Sequence, residues 1–404
     1  IMRPRRFGKT LNMDMLKCFF SNQYADREDL FEGLTIWKDE KYRSIQGTYP
    51  VIYLSFADVK QTNYVDAVKK IKRILSDLYQ QYVFLLQENC MTEMQKRQFS
   101  EVSPQMDDVT AQCALQDLAH YLYRFYGKKV ILLLDEYDTP MQEAYVYGYW
   151  KEFTSFIRSM FNSAFKTNPY LERAVMTGIT RVSKESVFSD LNNLNVVTTT
   201  SEEYETCFGF TEQEVKELLA YCKAEFSDEL KKMYDGYHFG STDVYNPWSI
   251  SCYAARRRMD SYWVNTSENS ILRNALEVQG RSFEKEYEAL VTEGEVEVTV
   301  DFSMAYYEKM DEANLWGLLV NAGIVTITKE IEEDYYRLRV PNLEVWKVFK
   351  ELTACHLKID ERHMEKMLNA LKRKDMERFA EEYQRILLEL PSYHDLKDEN
   401  SYHM

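Results

Sequence analysis

A chain of 404 residues, 45% hydrophobic and 28% charged, is long and apolar enough for two or three soluble domains with sizeable cores and is not a disordered polymer. Its net charge of −15 argues against a protein that wraps nucleic acid, although a local basic patch could still bind one. No apolar run approaches the roughly 18 residues of a membrane span, and seven cysteines without Cys-x-x-Cys spacing point to a reducing cytoplasm, not to a disulfide framework or a zinc site.

The first element is Arg3-Pro4-Arg5-Arg6-Phe7-Gly8-Lys9-Thr10. Its second half reads Gly-Lys-Thr, the part of a phosphate-binding loop that holds β- and γ-phosphates and magnesium. Arg3 stands where such a loop has its first glycine. Ile1 and Met2 read as the last residues of the strand that should precede it. From Thr10 to Phe20, Leu11, Met15, Leu16, Phe19 and Phe20 recur at helical spacing. A loop feeding that helix aims free N–H groups and the positive end of the helix dipole at an anion. The basic cluster Arg3, Arg5, Arg6 and Lys9 suits the same ligand. The loop residues Arg3, Arg6, Phe7, Gly8, Lys9 and Thr10, with Leu11 at the head of the helix, are the candidate nucleotide-binding set. A basic turn before a helix is the simpler alternative.

Tyr49–Phe56 reads as a strand, followed by helical stretches over Tyr64–Leu86 and Thr110–Tyr126. Lys129–Leu134 is a continuous apolar run, as in a strand buried on both faces of a parallel sheet. It ends in Asp135-Glu136-Tyr137-Asp138, and acids at that end lie where open α/β sheets bind ligands. This is a Walker B pattern. Asp135 would hold magnesium with Thr10, and Glu136 would orient and deprotonate a water. Glu172–Arg181 reads as another buried strand with a polar end. In P-loop ATPases that carry an extra strand between the two Walker motifs, Thr177 or Thr180 would sense the γ-phosphate. Arg181 would stabilise transferring charge, unless it pairs with an acid in the next loop. A further strand is expected at Leu194–Val197. The alternation argues for an α/β fold, a P-loop parallel sheet with helices on both faces.

From Phe210 the alternation stops. Thr211 and Glu214 form a capping signature for a helix to about Phe226. Helices follow near Asp228–Tyr234 and from Trp248 to Arg258, with Gly236–Gly240 as a turn or short strand between them. Arg256-Arg257-Arg258 reads as favourable charge at a helix end. Next come a helix at Leu315–Asn321, strands over Gly323–Thr328 and Tyr335–Val340, and a helix from Leu343 to about Leu352. That is a winged-helix pattern, but its acidic tip, Glu330 to Asp334, disfavours a phosphate backbone. Helices at Glu361–Leu371 and Asp375–Leu390 close the chain. Glu214-Val215-Lys216 and Glu229-Leu230-Lys231 have nuclease-like spacing, but on helices, so no nuclease activity is expected. The resulting division is 1–209, an ATPase domain with most of its first strand missing; 210–260, a helical or winged-helix lid; and 261–404, winged-helix-like and helical.

With Thr177-Gly178-Ile179-Thr180-Arg181, Tyr234-Asp235-Gly236-Tyr237-His238-Phe239, Tyr245-Asn246-Pro247-Trp248-Ser249, Tyr262-Trp263-Val264-Asn265 and Pro341-Asn342-Leu343-Glu344-Val345, the loop and acids resemble the bacterial and archaeal AAA-ATPase-like proteins. These usually begin some tens of residues earlier and continue into a nuclease-like domain of the PD-(D/E)XK type. In that family an arginine at the first loop position is usual. The resemblance implies an ATP-binding ATPase domain; the favoured reading is Mg2+-dependent ATP hydrolysis that moves the lid and regulates an attached effector, with an effector domain in cis or a homo-oligomer as the expected partner. In lids of signalling ATPases a proline near Asn246-Pro247 contacts the adenine side; otherwise Pro247 only starts its helix. A non-hydrolysing ATP-binding switch and a winged-helix DNA-binding regulator are the alternatives.

Overall fold

The computed structural model describes residues 1–182, 191, 194–263, 281–304, 312–347 and 361–389. At its centre β1 (Val51–Ser55), β2 (Val130–Asp135) and β3 (Leu171–Met176) form a parallel sheet in the order β1-β2-β3. Every residue of β2 is buried, as a continuous apolar run requires of a central strand. The chain start extends the sheet. Met2 bridges Gly178 in parallel beyond β3, and the Met2 N–H donates to the Val197 carbonyl at 2.8 Å. Across the sheet the order is therefore the stretch at Val197, Met2, β3, β2, β1. The strand leading to the phosphate loop is thus separated from β2 by β3. The stretch expected as a strand at Leu194–Val197 occupies that outer position without a regular ladder. β3, expected to be buried, is exposed or half-buried along its length; among the described residues no strand pairs with its outer edge, and Met2 bridges only Gly178, beyond its end.

Side chains alternate across the sheet. Val51, Ile131 and Leu133 meet Met13 of α1 (Lys9–Phe20) on one face. Ile52, Leu54, Leu132 and Leu134 face the helices α3 (Tyr64–Gln80), α5 (Asp108–Tyr126) and α7 (Trp150–Phe161) on the other. Short helices fill the connections: α2 (Glu40–Arg43), α4 (Glu93–Glu101) and α6 (Thr139–Val146). The mixed α/β reading with a parallel sheet holds. The helical stretch expected to reach Leu86 ends earlier, at Gln80, and resumes as a single 3-10 turn over Val83–Leu86.

The second half is built from β4 (Arg181–Val182), α8 (Glu212–Tyr221), α9 (Asp228–Tyr234), the hairpin β5 (Tyr237–Phe239) and β6 (Thr242–Val244), and α10 (Pro247–Arg256). Thr211 and Glu214 form the capping box of α8. The lysines of the two nuclease-like triplets, Lys216 and Lys231, both pair with Glu212 on that helical surface. Beyond these come α11 (Arg281–Glu293), β7 (Glu295–Thr299), β8 (Ser303–Met304), α12 (Glu312–Ala322), β9 (Thr326–Glu332) and β10 (Tyr335–Arg339). The expected hairpin β9–β10 gains a third strand, β7, which joins it in the antiparallel order β7-β10-β9. A helical turn spans 343–347; the rest of the helix expected to Leu352 lies outside the described residues. The helices α13 (Glu361–Lys372) and α14 (Met376–Glu389) pack against each other.

One apolar core runs from Met2 and Phe7 through the sheet helices and across Tyr237 and Phe239 to Phe283, Trp316, Leu319 and Leu338. α8, α9 and α10 close on a separate cluster of Val215, Leu219, Leu230, Tyr234, Tyr245 and Ile250. Phe7 ties the phosphate loop to this core. It is fully buried, with ring centroids 4.8 Å from Tyr237 and 5.0 Å from Phe239. Phe7→Ala should cost about 3–5 kcal/mol, the usual range for removing a buried aromatic side chain. Urea unfolding followed by tryptophan fluorescence would measure it.

Candidate functional site

The loop curls because two of its residues adopt left-handed backbone, Arg6 with φ 68° and Gly8 with φ 77°. Gly8 caps α1, which starts at Lys9, so the free N–H groups of the first turn lie at the mouth of the loop. The buried ammonium of Lys9 donates to the carbonyls of Arg3 and Pro4, each at 3.0 Å. An ammonium has three hydrogens, so this bracing leaves one for a phosphate oxygen. Burial pulls the Lys9 pKa down, while Glu136, Asp138 and Asp135 push it back up.

The acids lie at the C-terminal end of β2. Thr10 Oγ1 donates to Asp135 Oδ2 at 2.6 Å, and the Thr177 hydroxyl donates to Asp135 Oδ1. Asp135 is thus clamped between the loop helix and the end of β3. Glu136 follows with φ 50°, unusual for a residue with a side chain and a form of strain that clusters at functional sites. Its carboxylate is only half-buried and accepts from Thr139 Oγ1 at 3.1 Å.

Asp138, to which the sequence reading gave no role, is a structural acid. Its Oδ2 accepts from the N–H groups of Ile179 at 2.9 Å and Thr180 at 2.7 Å, from Thr180 Oγ1 at 2.9 Å and from Gln142 Nε2 at 3.0 Å. Of the two threonines expected as sensors, Thr177 therefore touches Asp135 and Thr180 is held by Asp138. Tyr53 also escaped the sequence reading. Burial, followed by the charges of Asp135, Asp14 and Glu136, pushes its phenol up to about 12. Its only signal was its place on β1, opposite Leu133.

The remaining candidates separate into groups that face the site and groups that brace it. Arg3 is fully buried. Its guanidinium donates to the carbonyls of Met2 at 2.9 Å, Thr198 at 2.5 Å and Tyr204 at 3.3 Å, and it lies 4.9 Å from the centre of the Phe239 ring. Burial lowers its pKa to about 10, so it stays charged at neutral pH. The side chains of Arg3 and Phe7, expected to hold a nucleotide, thus turn inward and brace the loop instead, and the Arg3 backbone is engaged as well, its N–H with the Gly178 carbonyl and its carbonyl with Lys9. Arg6 is exposed, its guanidinium 4.7 Å from the centre of the Trp248 ring. That contact brings Pro247 and Trp248, at the head of α10, beside the loop. Asn246 caps this helix through the N–H groups of Trp248 and Ser249, so Pro247 occupies the first-turn position that proline favours. Leu11 is 64% exposed. The backbone of Arg181 pairs with Ser303 in the short β4–β8 ladder; the placement of its side chain lies outside the description. Among the described residues no group of three or more His, Cys, Asp or Glu could hold a metal ion, and no helix is long and apolar enough to cross a membrane.

Residues 1–188 match the family model AAA-ATPase_like, described as a predicted AAA-ATPase. The match includes the loop, the acids at the end of β2 and the 177–181 segment, so the resemblance drawn from those motifs holds there. An uncharacterized protein in the vnfD 5′ region of Azotobacter chroococcum mcd 1 is 27% identical over 350 residues, covering 85% of this chain. The aligned part makes up 61% of that relative's length. No solved structure matches the chain.

Close approach at Gly178 holds the acids and the 177–180 segment together. A Cβ there would lie 2.6 Å from Asp138 Oδ1 and 2.7 Å from Tyr137 Cε1. Gly178→Ala should therefore destabilise the protein by about 1–3 kcal/mol, as overpacking does. Thermal unfolding of the variant beside wild type checks this.

Proposed function

We propose that this chain, whose residues 1–188 match predicted AAA-ATPases, binds ATP with Mg2+ and hydrolyses it to ADP and phosphate. The observation that carries the reading is the 2.6 Å hydrogen bond between Thr10 of the loop helix and Asp135 at the end of the central strand. It joins two motifs far apart in sequence at one point beside the loop. The donor set fits Mg2+, a hard cation that takes one or two carboxylates, keeps several waters and uses substrate phosphates; Thr10 and Asp135 would hold it. When bound, it neutralises charge developing on the phosphates.

The chain's own groups divide the remaining work. The N–H groups at the start of α1 and the third hydrogen of Lys9 bind phosphate oxygens. Thr177 fixes the orientation of the Asp135 carboxylate. Glu136, half-buried and bound by the Thr139 hydroxyl, orients a water and takes its proton. Arg181 is proposed as the charge-stabilising group on the basis of its position in the matched segment. We extend the proposal to coupling: turnover moves α8–α10 relative to the loop and regulates an effector in cis or a second copy.

Lys9→Ala should weaken ATP binding by about 1.5–3 kcal/mol, the worth of a hydrogen bond to a charged group, as read by calorimetry. Glu136→Gln should bind ATP as wild type does yet release phosphate about 100- to 10,000-fold more slowly, the usual contribution of a general base. Unchanged turnover in Glu136→Gln would remove its role. Wild type that binds ATP without turnover would leave a nucleotide-binding switch.

Trp248 supplies a place for the base. It is 40% exposed beside the loop and carries the Arg6 guanidinium over its ring. Trp248→Ala should weaken ATP binding by about 1–3 kcal/mol, the worth of stacking one base on an aromatic ring. Binding of inorganic tripolyphosphate, which has no base, should not change. Equal losses for both ligands would make Trp248 a latch and not a base platform.

A further inference from the structure

The phosphate loop is gripped by residues more than two hundred positions away, through a buried carboxylate that the nucleotide reading does not use. Glu344 is fully buried. Its Oε1 accepts from the N–H groups of Tyr262 at 2.6 Å and Trp263 at 2.8 Å, and its Oε2 accepts from Ser249 Oγ of α10 at 2.7 Å. Burial raises its pKa, and the hydrogen bonds oppose that rise. A buried carboxylate is tolerated only with such partners, so these segments are held to one another. The chain of contacts then reaches the loop: Trp263 Nε1 donates to the Arg5 carbonyl at 3.2 Å.

We propose that Glu344 and Trp263 are positioning residues for the phosphate loop, setting its affinity for polyphosphate from the C-terminal region; the proposal rests on the nucleotide reading above. The Arg5 carbonyl directly follows the two carbonyls that hold the Lys9 ammonium. Its orientation therefore bears on where the free hydrogen of Lys9 and the N–H groups of the loop point. Glu344 fixes Trp263 through its backbone, and the indole fixes the loop. The same carboxylate anchors α10 through Ser249, so the loop and the base platform at Trp248 share one reference point. Movement of the loop on ligand binding is felt at 341–347 through this link, and the reverse follows by reciprocity.

The test uses the full chain and inorganic tripolyphosphate as the probe, since it engages the loop but not Trp248. Trp263→Phe removes the indole N–H and keeps most of the ring. It should weaken tripolyphosphate and ATP alike by about 2- to 10-fold, the range of one neutral hydrogen bond, at temperatures where all variants are folded. Glu344→Ala, which leaves the N–H groups of Tyr262 and Trp263 without their acceptor, should do the same, and the double variant should be no weaker than the weaker single, because both act through one link. Ser249→Ala, a milder change, tests the arm through Oε2 if Glu344→Ala fails to fold; it should weaken ATP without affecting tripolyphosphate. A purely structural tie would lower thermal stability and leave both affinities at the wild-type value, overturning the proposal. Additive losses in the double variant would overturn it too. Wild type that binds neither probe overturns the nucleotide reading together with this one, whereas wild-type binding matched by the variants overturns this one alone.

Discussion

The constraint on which the structure turns is that a loop open to a ligand on one side must be held from the other. Between Met2 and α1 no ladder supports the chain, yet buried backbone polar groups require partners. Residues 3–7 of the loop are instead met by side chains and carbonyls of the second half and of the stretch after Leu194. Arg3 is fixed by the carbonyls of Thr198 and Tyr204. A Cβ on Gly323 would lie 2.9 Å from Pro4, so α12 ends against the loop. The Arg5 carbonyl takes the Trp263 indole, Arg6 lies over Trp248, and Phe7 packs on β5. This explains how an arginine can replace the first glycine. A glycine there would serve a tight turn by having no side chain, whereas Arg3 turns its long side chain inward and uses it as a brace. The positive φ falls at Arg6 and Gly8 instead.

The acids at the end of β2 show a comparable division between holding and acting. Asp138 has its Oδ2 filled by four donors and keeps the 178–180 segment against α6. Asp135 is filled by two hydroxyls, from Thr10 and Thr177. A hydroxyl can turn from a carboxylate to another oxygen, whereas a backbone N–H cannot. Asp135 is therefore the acid whose partners can be exchanged for a cation, and Asp138 is the one whose partners are fixed. Glu136 is the least restrained of the three, half-buried and in left-handed backbone. Within 135–138 one acid is thus held in place by the fold, while the other two suit the binding and acting roles proposed for them.

Local pattern made part of this legible. The buried run of β2, the helix from the loop and the Thr211–Glu214 capping box are properties of neighbouring residues, and each was readable with little error. β7 went unread, although Glu295–Thr299 alternates polar and apolar residues in step with its exposed and buried positions. What the sequence could not give were pairings across long separations. Glu344 meets Tyr262 across 82 residues and Ser249 across 95, and nothing in Pro341–Val345 marks the carboxylate as buried. Arg3 misled for the same reason. A basic residue in a phosphate loop reads as a ligand for phosphate until the carbonyls of Thr198 and Tyr204 are brought to it by the fold.

Those long pairings also bear on how the chain divides. Composition and element type suggest breaks near 209 and 260, and α8–α10 do close on a cluster of their own. The packing around the loop runs across both breaks. Phe7 is buried by Tyr237 and Phe239 of β5, β5 is tied to β9 through the His238 N–H and Thr326 Oγ1 at 2.9 Å, and β9 belongs to the sheet with β10 and β7. The β5 hairpin is thus a wedge with the phosphate loop on one side and the C-terminal sheet on the other. Removing it would expose two aromatic faces and leave the loop without its inner wall, so the first 209 residues do not contain all that shapes their own binding site. A displacement of the loop cannot stay local under these contacts, because close-packed interfaces shift between discrete arrangements and do not deform continuously. The coupling proposed between the nucleotide site and the C-terminal region would run through these same contacts.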